Sequence, residues 1–302
     1  MKRKNSSRKN HRLNESAARN TAKNPYTILV TATMSAGKSS IVNALVGKEI
    51  CRAENMACTD KIHIITGTQK ETGGIIHQGR KFAAEVTLDV LNKAEAPNDN
   101  GYITTSLYFY GVLQGMMIAL KDSPGINSSM DISHKLITER EVKNGRYDLL
   151  LYVMNATQLG TEDDNRYLDF IKKNVDSQKI IFVLNKIDQI DPDKEYIEKI
   201  MDDVRQYIHS KGFNHPILCP VSATNGFLGK KSYNAKLGKL ETMQLNFAVQ
   251  RMREISLRTY YENAFPNVKI CDRKDYEYLL SLSGIEHLEK IIFDFYRGVM
   301  KK

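Results

Sequence analysis

The stretch that most constrains this chain is Ala-Thr-Met-Ser-Ala-Gly-Lys-Ser at 32–39. It follows a run rich in β-branched residues, 26–31. It precedes an apolar-periodic run, 39–47, in which Ile41, Val42, Ala44 and Leu45 share a face and Gly47 supplies the stop. Strand, small-residue turn and helix in that order make a cradle for phosphate. Loop amides and the helix N-terminus present N–H groups, and the helix dipole favours negative charge. Met34, Ser35, Ala36, Gly37 and Ser40 belong to this cradle, Lys38 meets the β and γ oxygens, and the Ser39 hydroxyl ligates Mg²⁺. The common pattern opens with Gly. Here position 32 is Ala, whose methyl group is expected to limit how sharply the chain turns.

Further strand-like runs end in polar motifs. Residues 116–120 lead into Asp122-Ser123-Pro124-Gly125, which places Asp122 to hold Mg²⁺ and the Gly125 N–H to meet a γ-phosphate. Residues 148–155 are apolar almost throughout, as a buried parallel strand should be. Residues 179–184 end in Asn185-Lys186-Ile187-Asp188, the most specific signal in the chain. The Asp188 carboxylate can accept from both N1–H and the 2-amino group of guanine, a donor pair that adenine lacks. Asn185 would tie base and loop together, and the Lys186 stem would lie along the base. Residues 216–221 end in Ser222-Ala223, whose backbone is placed for the guanine O6.

Helices are expected between these strands. One covers 161–174, with Tyr167, Leu168 and Ile171 inward. Another starts at Asp191-Pro192, with Ile197, Ile200, Met201, Val204 and Ile208 buried. A last one covers 284–300 with Ile285, Leu288, Ile291, Ile292 and Phe295 inward. The alternation predicts a doubly wound α/β domain of phosphate-loop type, with a mainly parallel sheet and its ligand at the strand C-termini.

Other stretches are less regular. Residues 48–60 lack a period, and Thr59 is the candidate there to reach Mg²⁺ and the γ-phosphate. Within 67–115 there is a brief helical pattern at 85–91, a turn at 98–101 and a strand at 103–113. Residues 127–147 read as a mobile stretch followed by a helix. Residues 226–276 form a helical insertion before the last helix, in which 236–261 reads as one helix. Its Leu240, Met243, Phe247, Met252 and Ile255 are expected in the core, a partner-binding face being the alternative. The domain division is thus a basic tail at 1–24 and a nucleotide domain at 25–302.

The chain of 302 residues has a formal net charge of +9, and the tail holds most of it: Glu15 alone opposes Lys2, Arg3, Lys4, Arg8, Lys9, Arg12, Arg19 and Lys23. With one Leu and no Ile, Val or aromatic residue, this tail cannot bury enough apolar surface to order itself. It reads as a solvated leader or as an electrostatic hook for an anionic membrane surface or RNA. It lacks the apolar run of a signal peptide. The longest apolar run, 149–154, is far short of the roughly 20 residues a transmembrane helix needs. The four cysteines form neither Cys-x-x-Cys nor a Cys/His metal spacing. That suits reduced thiols in a cytoplasmic protein, peripheral at the membrane if the tail binds lipid.

The five motifs, in order and each at a strand end, resemble the GTPase superfamily. More closely, Met34 to Gly47, with Asp122-Ser123-Pro124-Gly125 and the run 149–160, resembles the bacterial dynamin-family GTPases. The resemblance covers residues 25–223 and is rejoined by the final helix. It implies GTP and GDP as ligands, Mg²⁺, GTP hydrolysis, and GTP-dependent pairing as a homodimer or with a related dynamin-like protein. By position it implies that Ser35 helps place K⁺ or Na⁺ near the β and γ phosphates and that Thr59 binds Mg²⁺ and orients the attacking water. Ser35, Lys38, Thr59 and Gly125 are then the catalytic set. Met34 stands where eukaryotic dynamins carry Gln, and Ile126 stands where Ras-type enzymes carry the water-positioning Gln, so slow intrinsic turnover is expected. With fewer than 80 residues after Ala223, no membrane-remodelling stalk is expected from this stretch. Two other readings stand beside this one: a hydrolysis-poor, GTP-dependent regulatory switch, and an Era-like GTPase acting on RNA or ribosomes.

Overall fold

The computed structural model describes residues 24–33, 35–51, 62–71, 75–76, 81–82, 102–124, 132–191, 196–234, 236–268 and 277–298. Residues 1–23, Met34, Thr59, Gly125, Ile126 and the pattern at 85–91 lie outside them.

The strands are β1 (Tyr26–Ala32), β2 (Ile62–Gly67), β3 (Ile75–Ile76), β4 (Lys81–Phe82), β5 (Tyr102–Leu107), β6 (Ile118–Asp122), β7 (Leu149–Asn155), β8 (Ile180–Asn185) and β9 (Ile217–Pro220). They form one sheet in the order β4-β3-β5-β2-β6-β1-β7-β8-β9. β6, β1, β7, β8 and β9 run parallel. β7 and β8 are buried at every residue, which is why they read as unbroken apolar runs. β2 departs from the parallel rule: it lies antiparallel to β6, with His63 opposite Asp122, and parallel to β5.

The helices are α1 (Lys38–Val46), α2 (Ile132–Asn144), α3 (Glu162–Asn174), α4 (Ile197–Ser210), α5 (Ala223–Asn234), α6 (Lys239–Ile255), α7 (Leu257–Ala264), α8 (Glu277–Leu282) and α9 (Ile285–Arg297). None of the described helices is long and apolar enough to cross a membrane. α3 begins at a reciprocal cap, in which the Asp164 N–H donates to the Thr161 hydroxyl at 3.2 Å and the Thr161 N–H donates to the Asp164 carboxylate at 3.3 Å.

Four expectations shift. The motif places Ala32 in the turn, yet it is the last residue of β1, buried and in register with Val153, so its methyl group packs in the sheet rather than in the turn. The strand expected at 103–113 stops at Leu107. Gly111 and Gly115 then take positive φ (96° and 69°), and the apolar Phe109 and Leu113 enter the core from a loop. The strand at 116–120 moves to Ile118–Asp122, so Asp122 closes it. The helix expected from Asp191 begins at Ile197, while its buried Ile197, Met201, Val204 and Ile208 are as predicted.

The insertion departs most. Residues 236–261 are two helices, broken at Ser256, whose φ is 54°. Leu245, Ala248, Met252 and Ile255 are buried, whereas Leu240, Met243 and Phe247 are 69%, 62% and 72% exposed. At about 100° per residue the exposed three cluster roughly 130° around the helix from the buried four. The residues read as one stripe occupy two faces.

A buried ion pair closes the fold. Lys230 of α5 meets Glu289 of α9 at almost complete burial. Its ammonium also donates to the Leu45 carbonyl at the end of α1 (2.8 Å), and Glu289 accepts from the Val112 N–H (3.2 Å).

Candidate nucleotide-binding site

β1 delivers the chain to the loop, and the backbone there alternates. Ser35 has φ 59° and Gly37 has φ 84°, both left-handed. Left-handed residues in a loop turn successive N–H groups toward one point, a concavity suited to an anion. Gly37 is also the N-terminal boundary of α1 and offers no side-chain cap, so the first amides of α1 face the same concavity. A Cβ at Gly37 would lie 2.3 Å from the Asn185 side-chain amide nitrogen, which together with the positive φ excludes larger residues.

Lys38 opens α1 and its ammonium pairs with the Asp122 carboxylate at the end of β6, both side chains about 10% exposed. Ser39 and Ser40 follow in the first turn of α1. Ser123 fixes the β6 end by donating its hydroxyl to the Val30 carbonyl at 3.1 Å. Cys51 and His63 lie beside the ion pair. Burial raises the Cys51 thiol well above its ordinary range, the nearby Asp122 adding to it. Burial lowers His63 to about 4, against the opposing pull of Asp122.

Asn185 joins three motifs. Its amide nitrogen donates to the Ala36 carbonyl at 3.0 Å, and its amide oxygen accepts from the Ala223 N–H at 3.0 Å. Phosphate loop, β8 end and β9 end are thus held by one buried side chain. Lys186 takes φ 66°, and its stem passes 3.9 Å from the position of a Gly37 Cβ, over the loop. Asp188 sits in a short 3₁₀ turn, Ile187–Gln189, partly exposed. Ser222 is buried; its N–H donates to the Ser283 carbonyl at 2.8 Å, and its hydroxyl caps α5 by accepting from the Asn225 N–H at 3.3 Å.

The described residues therefore bring Ser35, Ala36, Gly37, Lys38, Ser39, Ser40, Asp122, Asn185, Lys186, Asp188, Ser222 and Ala223 to the C-terminal edge of the parallel strands. Two contributors carried no sequence signal. Asn43, on the inner side of α1, receives the N–H groups of Ile50 (3.0 Å) and Cys51 (2.9 Å) and donates to the Cys51 carbonyl (2.7 Å), anchoring the chain where it leaves for residues 52–61. Arg251 of α6 donates from Nε to the Asp188 carbonyl at 3.3 Å and from Nη2 to the Ile190 carbonyl.

The sequence profile described as the dynamin family matches residues 28–187. The chain is similar to a bacterial dynamin-like protein of Nostoc punctiforme, 25% identical over 251 residues, covering 76% of this chain and 34% of that protein. It is also similar to a probable transmembrane GTPase, FZO-like and chloroplastic, of Arabidopsis thaliana, 24% identical over 245 residues, covering 78% of this chain and 24% of that protein. Among solved structures, one of an oligomerised bacterial dynamin pair superposes with a TM-score of 0.50 and 17% identity, covering 95% of this chain and 46% of that one. This last likeness is one of fold. The chain spans only 24% and 34% of the length of these two curated relatives.

Proposed function

Because the chain belongs to the dynamin family, we propose that it binds GTP at the edge of β1, β6 and β8 and hydrolyses it to GDP and phosphate. The observation that carries this reading is the Asn185 bridge, which sets the Asn-Lys-Ile-Asp turn and the phosphate loop at a fixed separation. A base read at one end and phosphates held at the other need that rigidity.

In this reading Ser35, Ala36, Gly37 and Ser40 line the phosphates with Lys38, and Asp188 selects guanine through its carboxylate. The Ser39 hydroxyl and the Asp122 carboxylate are hard oxygen donors that fit Mg²⁺, and Thr59 joins them. When bound, Mg²⁺ neutralises charge on the β and γ oxygens. The chain's own groups hold the phosphates in place, and Gly125 offers its N–H to the γ-phosphate. Ser35 helps hold K⁺ or Na⁺ at the same phosphates, and two copies, or one copy and a dynamin-like partner, meet across their nucleotide faces. The segment 1–24 contacts an anionic membrane surface or RNA, binding that weakens as salt rises. The second reading, a GTP-dependent switch with little hydrolysis, is favoured by the apolar Met34 and Ile126.

Hydrolysis measured against protein concentration, in potassium and in sodium, tests the first reading. Specific activity should rise with concentration, depend on the cation and vanish in Lys38→Ala. Flat, negligible turnover with tight GTP binding would favour the switch. Asp188→Asn should move preference from guanine to xanthine nucleotides; an unchanged preference would remove the guanine assignment.

A further inference from the structure

We propose that Arg251, which lies outside all five motifs, is a positioning residue for guanine recognition: its guanidinium clamps the turn that carries Asp188. The proposal rests on the guanine reading above and adds a determinant of base specificity in the helical insertion.

The Ile187–Gln189 turn is tethered to the sheet on one side, where the Ile187 N–H donates to the Val221 carbonyl at 3.3 Å and the Ile187 side chain is buried. Its other side is gripped by Arg251. One planar guanidinium spans two carbonyls, those of Asp188 and Ile190, from two different nitrogens. Lysine has no such fork. The grip falls on the backbone of Asp188 itself, so rotation of the turn that would carry the carboxylate off the base edge is opposed directly. Hydrogen bonds weaken steeply with misalignment, and the carboxylate must meet N1–H and the 2-amino group together to tell guanine from hypoxanthine, which lacks the amino group. A turn free to rotate would keep one bond at the expense of the other.

Arg251 is itself well seated. The adjacent Met252 is fully buried, Ile255 is nearly so, and Glu254 lies 3.8 Å from the guanidinium. The clamp is thus as rigid as the packing of α6 against the nucleotide domain.

The test uses the full chain and compares Arg251→Ala, Arg251→Lys and, as a control for loosening of the insertion, Tyr260→Phe. The Tyr260 hydroxyl donates to the Leu218 carbonyl at 2.7 Å, so its loss weakens the contact between α7 and the sheet away from the turn. Calorimetry gives GDP and IDP dissociation constants for each. Arg251→Ala should weaken GDP by about tenfold, as expected for two charge-assisted hydrogen bonds partly replaced by water. It should shrink the GDP-over-IDP preference several-fold and be partly rescued by Arg251→Lys. Tyr260→Phe should lower Tm with the preference intact. If Arg251→Ala keeps the wild-type GDP-over-IDP ratio, or if Tyr260→Phe shrinks it equally, the proposal fails. Should Arg251→Ala not fold, Arg251→Lys alone must shrink the ratio or the proposal fails. The guanine reading is separated by Asp188→Asn: no shift toward XDP defeats that reading, whereas a shift with an unaltered ratio in the Arg251 variants defeats the clamp alone.

Discussion

Lys38 and Asp122 each have a second partner in the proposed cycle. Facing each other in a site about nine-tenths shielded from solvent, they hold one positive and one negative charge that nucleotide and metal would divide between them. Neutralising one leaves the other charge uncompensated, which is costly where water is scarce. Asp122→Asn should therefore lower Tm in the absence of nucleotide. With metal removed by EDTA it should bind GDP at least as tightly as wild type, since Lys38 is released to the phosphates. With Mg²⁺ restored, the tightening expected of wild type should be absent; titrations with and without Mg²⁺ read both arms. At this scale the placement of the candidate residues was largely legible in the sequence, because Asp122 and Asn185 close β6 and β8, Lys38 and Asp188 lie in the segments just beyond β1 and β8, and the four occur in a fixed order. Ala32 misled because the residue-type pattern does not reveal where the strand stops: the positive φ angles fall at Ser35 and Gly37, and position 32 is still extended. Asn43 and Arg251 escaped because each acts on backbone groups outside its own helix, Asn43 on Ile50 and Cys51 just past α1 and Arg251 on Asp188 and Ile190 some 60 positions away, partners that no residue motif announces.

The buried strands β7 and β8 and the helices α3, α4 and α9, each with an apolar pattern, match their reading, whereas the stripe read over 236–261 splits between two faces and α5 escaped it altogether. α5 has no clear stripe because it packs through glycines. A Cβ on Gly226 would lie 2.3 Å from the Ile285 side chain, and one on Gly229 would lie 3.0 Å from the Leu280 amide nitrogen. Small residues that admit a close neighbour leave no hydrophobic signature. The same helix carries Lys230, whose pairing with Glu289 joins α5 to α9. Burial pushes the lysine pKa down and the glutamate pKa up, and each partner pulls the other back toward its charged form. Lys230→Met or Glu289→Leu alone should cost about 3–5 kcal/mol in denaturant unfolding, and the two together much less than their sum. Strict additivity would mean that the two charges do not act as a unit.

Stability of the molecule as a whole should respond to pH through His287. The ring lies buried in α9, stacked on Tyr261 of α7 with centroids 3.9 Å apart. Burial first, then Lys290 and Arg258, lower its pKa to about 3, with the Ser281 backbone opposing. The folded protein therefore keeps the ring neutral while the unfolded chain takes up a proton near the ordinary histidine pKa of about 6.5. This contribution to stability is complete above that value and is lost as pH falls toward 3. Between pH 7 and 4 the Tm of His287→Phe, which retains the stacking, should fall less than that of wild type. Parallel Tm profiles would assign the acid sensitivity to other groups.

The buried lysine also bears on the order in which the protein is made. A ribosome delivers α1 before α5, and α5 before α9. The Leu45 carbonyl waits 185 positions for Lys230, and the Val112 N–H waits 177 positions for Glu289. A nascent chain halted before α9 would contain α1 and the lysine that meets its far end, with no counter-charge yet synthesised for that lysine. The contact between α5 and the far end of α1 therefore gains its counter-charge only once α9 has emerged from the ribosome.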